Sequence, residues 1–507
     1  MLPTCHSAAA TGAPALFLRA RVRWLASAVG AIALLALAAA AWPFTVDDAF
    51  IVARYANRIA SGQGYTFSGS TRTDGVTGPL WLLPLVLGAR LGLDALSLAK
   101  AVSLTAALLA LMAMTWRVAG IARGRRVVWW VPLVCCSSLP FIVWSVAGLE
   151  TGLAALCASC LALAVTRRPR ASGTLMGLSF AALAWLRPEL LAFATCLLLA
   201  LTLRSSNDLG ERGAVFRAWT IGLSGLLLVL AFRSFMFGHL LPMSASAKPA
   251  LLGHGFRYVG ETLLRARVWV LVPLLACAVR FGGRHARTLA LALLVHAAAV
   301  CLVGGDWMPG RRLFAPLVPV LALTLALGLR SLAARRPYAH ALCAAALLVA
   351  SALELLPELP AVRAAGRTRE LSAPRLAAWI CAARGPVALI DLGVLGASCP
   401  QQTFIDLGGL TEPAIAYARG AHLDKQIDLA WLRSRAPGLV VLHSRQPPRV
   451  DSAGNLRWFA GYPVERRVLG APFMRDYEVQ HVFAYAPEYF YVLLAPRRSG
   501  TRASTAP

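Results

Sequence analysis

Apolar runs at or near bilayer-spanning length alternate with short arginine clusters from residue 19 to about residue 356. No other feature of the chain constrains its fold as strongly. A segment crossing hydrocarbon must satisfy its own backbone hydrogen bonds, so each such run is a helix. Crossing takes about 20 residues. The chain is 58% hydrophobic and only 14% charged, against about 25% charged in soluble domains. The expected class is a polytopic α-helical membrane protein. The net charge of +27 does not point to nucleic acid. The basic residues sit between apolar runs, as the positive-inside rule expects, and form no stripe interleaved with aromatics.

Arg19, Arg21 and Arg23 precede an apolar run over residues 25–42. The run ends in small residues, as a signal peptide does, but it is long for one and many apolar segments follow. An uncleaved first span with a cytoplasmic N-terminus is expected. Residues 80–93 are apolar but short and read as an interfacial helix. Further spans are expected over 96–116, over 127–144 and on to about 165. Residues 172–203 hold two more, broken at Leu186-Arg187-Pro188-Glu189, where Pro188 interrupts a helix. Residues 218–236 and later runs to about 356 complete the set, about eleven spans in all. Arginines cluster at 117–126, 167–170, 204–217, 280–287 and 330–336. With a cytoplasmic N-terminus, every cluster falls inside and the C-terminus falls outside. The expected location is the bacterial inner (cell) membrane.

The acids segregate on this topology. Before Pro357, only Asp208 and Glu211 face the cytoplasm. Asp47, Asp48, Asp74, Asp94, Glu150, Glu189, Glu261, Asp306 and Glu354 lie at or near the outer side. Acids contribute little to orientation, so a carboxylate-rich outer cavity is the expected cause.

The expected domains are a multi-span region over 1–357, with a first outer loop at 47–97, and an extracytoplasmic α/β domain over 358–496. Residues 497–507 read as a disordered tail. In the α/β domain, 387–390, 403–405 and 439–442 read as short buried strands, and 423–435 as an amphipathic helix. Most cysteines lie in apolar segments, and Cys157 with Cys160 reads as buried hydrophobes rather than a redox motif. Cys381 and Cys399 either pair, if this domain is exported, or stay free.

The first outer loop is the richest in chemistry. Asp47 and Asp48 open it. Asp47 either caps a helix running to about Ile59, or the two carboxylates supply a general base with an orienting partner, or they hold a divalent metal ion. Arg54, Tyr55, Asn57 and Arg58 follow on the next turns, within reach of a sugar or phosphate. Gly62-Gln63-Gly64 lacks the third glycine and preceding strand of a nucleotide loop and reads as a turn. Asp74 and Thr77 precede Trp81, which either anchors an interfacial helix or stacks on a glycan. Glu150 sits between Gly148 and Gly152, a small-residue pair suited to close helix packing, which leaves the carboxylate unexplained. Arg187 and Glu189 either pair with each other or contact substrate. Lys248 is the only lysine between Lys100 and Lys425 and either meets a lipid phosphate or snorkels. Asp306, Arg311 and Arg312 bracket Trp307 in a third outer loop, where the paired arginines either recognise a substrate phosphate or meet anionic lipid headgroups. Asp391-Leu392-Gly393 and Asp406-Leu407-Gly408-Gly409 each follow an expected strand and either form a site or are turns, for which turn chemistry suffices.

The loop DDAFIVARYANRIASGQGYTFSG…DGVTGPLW, followed by GLET, LRPE, FGHLLPMSASAK and GGDWMPGRRLFAPLVP, resembles the GT-C superfamily of membrane glycosyltransferases. Within it the likeness is to bacterial relatives of the mycobacterial terminal β-(1→2)-arabinofuranosyltransferases. DLGGLTEP…HLDKQIDLAWLRSRAPGLVVLHS extends the likeness to most of residues 42–445. Asp74-Gly75 stands where that group has Glu-Gly, and Ser68 where Asn is usual. The resemblance implies a polyprenyl-phosphate sugar donor, an extracytoplasmic envelope glycan or glycolipid acceptor, and a first-loop carboxylate as base. Asp47 is the expected base and Asp48 its partner or a metal ligand, with the reverse order open. Two other classes compete. A lipid-linked sugar flippase predicts ionisable groups near the bilayer midplane and often internal repeats, and no repeat is seen. A noncatalytic glycan-binding subunit would keep the exported domain without needing the carboxylates.

Overall fold

A helix that must bury an apolar surface on all sides reads as apolar all round, and the runs described above do so. In the computed structural model, which describes residues 13–121, 125–167, 172–204, 208–308 and 310–497, every one of the eleven expected segments is helical. Among the described residues, six helices are long and apolar enough to cross a membrane. Two pairs bent by 60° and 89° raise that to eight if each pair is one span: Arg126–Cys136 with Leu139–Val146, and Leu252–Leu263 with Arg267–Phe281. Three of the expected spans, Thr151–Val165, Gly173–Leu186 and Pro188–Thr202, are shorter apolar helices. At 1.5 Å per residue, helices of this length reach about 22 Å, short of the roughly 30 Å hydrocarbon core. Residues 498–507 of the expected tail, Arg123, Arg168, Arg170 and Pro309 lie outside the described residues.

The chain forms two units. The first comprises the described residues of Met1–Trp42, Ala99–Val229 and Ala250–Arg363, and the second those of Pro43–Leu98, Leu230–Pro249 and Ala364–Pro507. The first unit is helical throughout. Small residues let its helices approach closely: Gly152 donates its N–H to Ser103 Oγ at 3.1 Å, and a Cβ there would strike the Ser103 carbonyl. That packing accounts for Gly152, whereas Gly148 takes a left-handed backbone, φ 91°.

The second unit holds the sheet. Strands β1 (Val387–Leu389), β2 (Phe404–Asp406) and β3 (Leu439–Ser444) are followed by a separate pair, β4 (Arg449–Val450) and β5 (Leu456–Trp458). A long hairpin, β6 (Tyr477–Ala486) and β7 (Tyr489–Pro496), completes a five-stranded sheet ordered β2-β1-β3-β7-β6. β1 lies parallel to β2 and β3, and β7 antiparallel to β3 and β6. The parallel strands are buried along their whole length, which is why they read as short unbroken apolar runs. The hairpin was not expected, because Tyr, His and Glu interrupt its apolar residues. The expected helix over 423–435 shrinks to Leu429–Ser434, since Asp428 caps it through the N–H groups of Ala430 and Trp431. Cys381 and Cys399 are joined in a disulfide, with Cα atoms 5.2 Å apart.

The unit containing the sheet also takes in Pro43–Leu98 and Leu230–Pro249. The helix Pro337–Cys381 runs unbroken past residue 357, where composition changes. Its first half is apolar and its second half charged, so composition shifts within one continuous element.

Candidate active site

Asp47 is the first residue of the helix Asp47–Ala60, and Val46 is its N-cap. The expected capping role is therefore not what its carboxylate does. Oδ2 accepts the backbone N–H of Gly393 at 2.8 Å and Oδ1 that of Val394 at 3.1 Å. These two groups begin the short helix Leu392–Ser398. A Cβ on Gly393 would press on the carbonyl and carboxylate of Asp47, so glycine is needed for the approach. Burial pushes the Asp47 carboxyl up to about 6; Arg369 and the two N–H groups pull down, while Asp391 pushes up. Asp48 is half-buried and makes no hydrogen bond or ion pair with any described residue.

Further along the same helix, Arg54 is buried among backbone carbonyls. Its guanidinium donates to Phe67 at 2.8 Å, Cys399 at 2.9 Å, Gln402 at 2.9 Å, Pro400 at 3.3 Å, and Gly396. It lies over the rings of Phe67 and Phe404. With five donors on an arginine, none is left for a sugar or phosphate, which corrects the expected substrate contact. Tyr55 is fully buried and its hydroxyl meets Thr73 Oγ1 at 2.5 Å. Gly75 lies over that hydroxyl so closely that a Cβ would stand 2.6 Å from it. Asn57 is exposed.

Asp74 is 1% exposed and pairs with the buried Arg233 at 3.1 Å. Arg233 also donates to the Thr77 carbonyl at 2.6 Å, and Thr77 Oγ1 meets Ser244 Oγ at 2.9 Å. Burial pushes the Asp74 carboxyl up to about 6 despite Arg233. Trp81 has no exposed surface, so it is core rather than a stacking platform for a glycan. Lys248 is half-buried, and its ammonium has no partner among the described residues.

The remaining expected residues belong to the first unit. Arg187 pairs with Glu150 at 2.5 Å and Glu189 at 3.3 Å, forming a triad in which Arg187 and Glu150 are buried and Glu189 half-buried. Arg312 pairs with Asp306 at 2.9 Å and lies over the Trp144 ring. Arg311 takes the left-handed backbone, φ 53°, and Trp307 stacks on His254 with ring centres 4.3 Å apart. Among the described residues, no group of three or more His, Cys, Asp or Glu side chains gathers as a metal site.

Around Asp47 and Asp74 the sequence singles out neither Arg369 nor Arg233, and it gives Asp391 a turn role beside a possible site role. Asp391 Oδ2 accepts the Tyr491 hydroxyl at 2.7 Å and that of Tyr489. Arg369 donates to the Thr45 carbonyl. Arg233 had a legible signal, a lone arginine in an otherwise apolar run. Asp391 had only a strand-end position, and Arg369 none.

The apolar helices and the sheet-bearing unit define a polytopic helical membrane protein, and solved structures with this fold are known. Two crystal structures of ArnT from Cupriavidus metallidurans share it. The one bound to undecaprenyl phosphate has a TM-score of 0.54 at 14% identity, covering 97% of this chain and 99% of that one. The apo form gives 0.54 at 14% identity, covering 91% and 97%. The mycobacterial arabinofuranosyltransferase AftD gives 0.45 at 17% identity, over 94% of this chain and 40% of that one. No family model and no curated protein matches the sequence.

Proposed function

We propose that the chain is a GT-C glycosyltransferase that moves a sugar from a polyprenyl-phosphate donor to an envelope glycan or glycolipid on the extracytoplasmic face of the inner membrane. The observation that carries this reading is the division of labour between Asp47 and Asp48. Asp47 is committed to two backbone N–H groups, whereas Asp48 has no partner among the described residues. In the proposed reaction, Asp48 takes the proton of an acceptor hydroxyl as that oxygen attacks the anomeric carbon. The bond from that carbon to the donor phosphate breaks, and the phosphate leaves as an anion without a general acid. Developing charge on it needs a cation, and Lys248, in the same unit and without a partner among the described residues, is a candidate. Of the first unit, the triad Glu150–Arg187–Glu189 and the loop residues Asp306, Arg311 and Arg312 are proposed as substrate contacts. The resemblance in sequence favours a pentose such as arabinofuranose, with a hexose as the alternative. The fold shared with ArnT bound to undecaprenyl phosphate supports a lipid-linked donor. The disulfide Cys381–Cys399 supports an oxidising, extracytoplasmic compartment for the sheet-bearing unit.

The test incubates the purified full-length protein with a panel of polyprenyl-phosphate sugars and envelope glycans, reading product by mass spectrometry. Transfer is expected, and Asp48→Asn is expected to slow it by about 10²–10⁴-fold. Undiminished transfer by the double variant Asp47→Asn/Asp48→Asn would overturn the assignment. A reporter fused after Leu356 that reads cytoplasmic would overturn the topology.

A further inference from the structure

The first unit contains a cavity of about 440 Å³ lined by Arg117, Arg167, Arg204, Arg284, His285 and Glu211, among others. They come from the ends of separate helices. Arg117 lies in the last turns of Ala95–Ile121, Arg167 just past Thr151–Val165, and Arg204 just past Leu191–Thr202. Glu211 opens Leu209–Phe237, and Arg284 and His285 open Gly283–Leu302. All belong to turns that the arginine pattern assigns to the cytoplasm.

Four guanidinium groups and a single carboxylate line one cavity, and none of these groups forms an ion pair among the described residues. The arginines that are held are held by neutral acceptors. Arg117 donates to Thr166 Oγ1 at 3.0 Å and to the Thr166 carbonyl. Arg204 donates to Thr288 Oγ1 and to the Arg284 carbonyl at 3.5 Å. Their positions are fixed while their charges stay unneutralised. The positive-inside rule explains why arginines populate these turns. It does not explain why they converge, because converging like charges repel, most strongly where the dielectric is low. An anion removes that repulsion. Arginine forks match phosphate oxygens in pairs, and the volume lies in the range of small-molecule sites.

We propose that this cavity binds a phosphate group, carried either by an anionic phospholipid headgroup or by a soluble phosphate compound. The site is independent of the proposed transfer reaction.

The test uses full-length protein exchanged into mixed phosphatidylglycerol and phosphatidylcholine, with retained lipid counted by native mass spectrometry and pyrophosphate titrated as the soluble probe. Wild-type protein is expected to retain phosphatidylglycerol preferentially. Arg204→Gln/Arg284→Gln should weaken retention by about tenfold or more, the scale of one lost charge-assisted bond. Glu211→Gln should strengthen it, a gain that misfolding cannot mimic. Arg217→Gln/Arg330→Gln, which alters two exposed arginines outside the cavity lining, should leave it unchanged. Displacement of the lipid by pyrophosphate supports a single phosphate site. Pyrophosphate binding without lipid retention, if lost in Arg204→Gln/Arg284→Gln, supports the site with a soluble source. Failure of wild-type protein to bind either probe, or equal losses in both double variants, would overturn it.

Discussion

Gly393 donates its backbone N–H to the Asp47 carboxylate at 2.8 Å across 346 residues of sequence. The contact joins the start of the first loop helix to the helix that follows β1. Because a Cβ at position 393 would press on Asp47, the relationship is steric as well as electrostatic. Gly393→Ala is expected to cost about 1–3 kcal/mol, the usual range for overpacking, and to lower turnover by displacing Asp48. Thermal unfolding and single-turnover rates of the variant check both effects.

Asp47 and Asp48 should separate in their consequences. Asp47→Asn weakens acceptance of two N–H groups and should lower the melting temperature, with a loss of about 1–3 kcal/mol. Asp48→Asn removes no hydrogen bond and should leave the melting temperature unchanged while abolishing most turnover. A scan of both variants beside a transfer assay decides it, and an unstable Asp48→Asn would reverse the assignment.

Arg54→Lys should behave as a folding defect. Lysine offers three donors in place of a planar fork, so several of the carbonyls over 396–402 lose their partner. The cost is expected to reach about 3 kcal/mol or more. Expression level and limited proteolysis report it, and a folded variant with a raised KM alone would show instead that Arg54 serves substrate.

Stability should rise as pH falls from 7 toward 5. Burial raises the Asp406 carboxyl from 3.8 to about 6 even though it accepts the N–H groups of Gly408, Gly409 and Thr411. Its folded-state value lies above the unfolded one, so the folded chain holds a proton that the unfolded chain has released. That contribution is complete below about 3.8 and is lost as pH rises through about 6, on the order of 3 kcal/mol. Asp74, also raised to about 6, acts in the same direction. Melting temperatures across this range, with Asp406→Asn flattening the slope, test the sign.

Removing the disulfide should loosen the wall around Arg54, since Cys399 supplies one of its carbonyls. Cys381→Ser/Cys399→Ser is expected to cost about 2–4 kcal/mol. The same loss on adding reductant to wild-type protein, measured by thermal unfolding, would confirm that the bond forms.

The sequence by itself determined the helices, because apolar runs in a bilayer have no alternative to helix formation. It determined the buried strands β1 to β3 as well, since strands covered on both faces need unbroken apolar runs. Residues 47–81 also stood out in the sequence as a chemically distinct loop. What each side chain in that loop does was decided only by the tertiary structure. Arg54, Tyr55 and Trp81 look like ligand contacts in one dimension, yet they are consumed by carbonyls, by Thr73 and by the core. The reason is that hydrogen-bond partners hundreds of residues away carry no local signature. Nothing in the sequence around Asp47 announces that Gly393 and Val394 will satisfy it while Asp48 has no partner among the described residues.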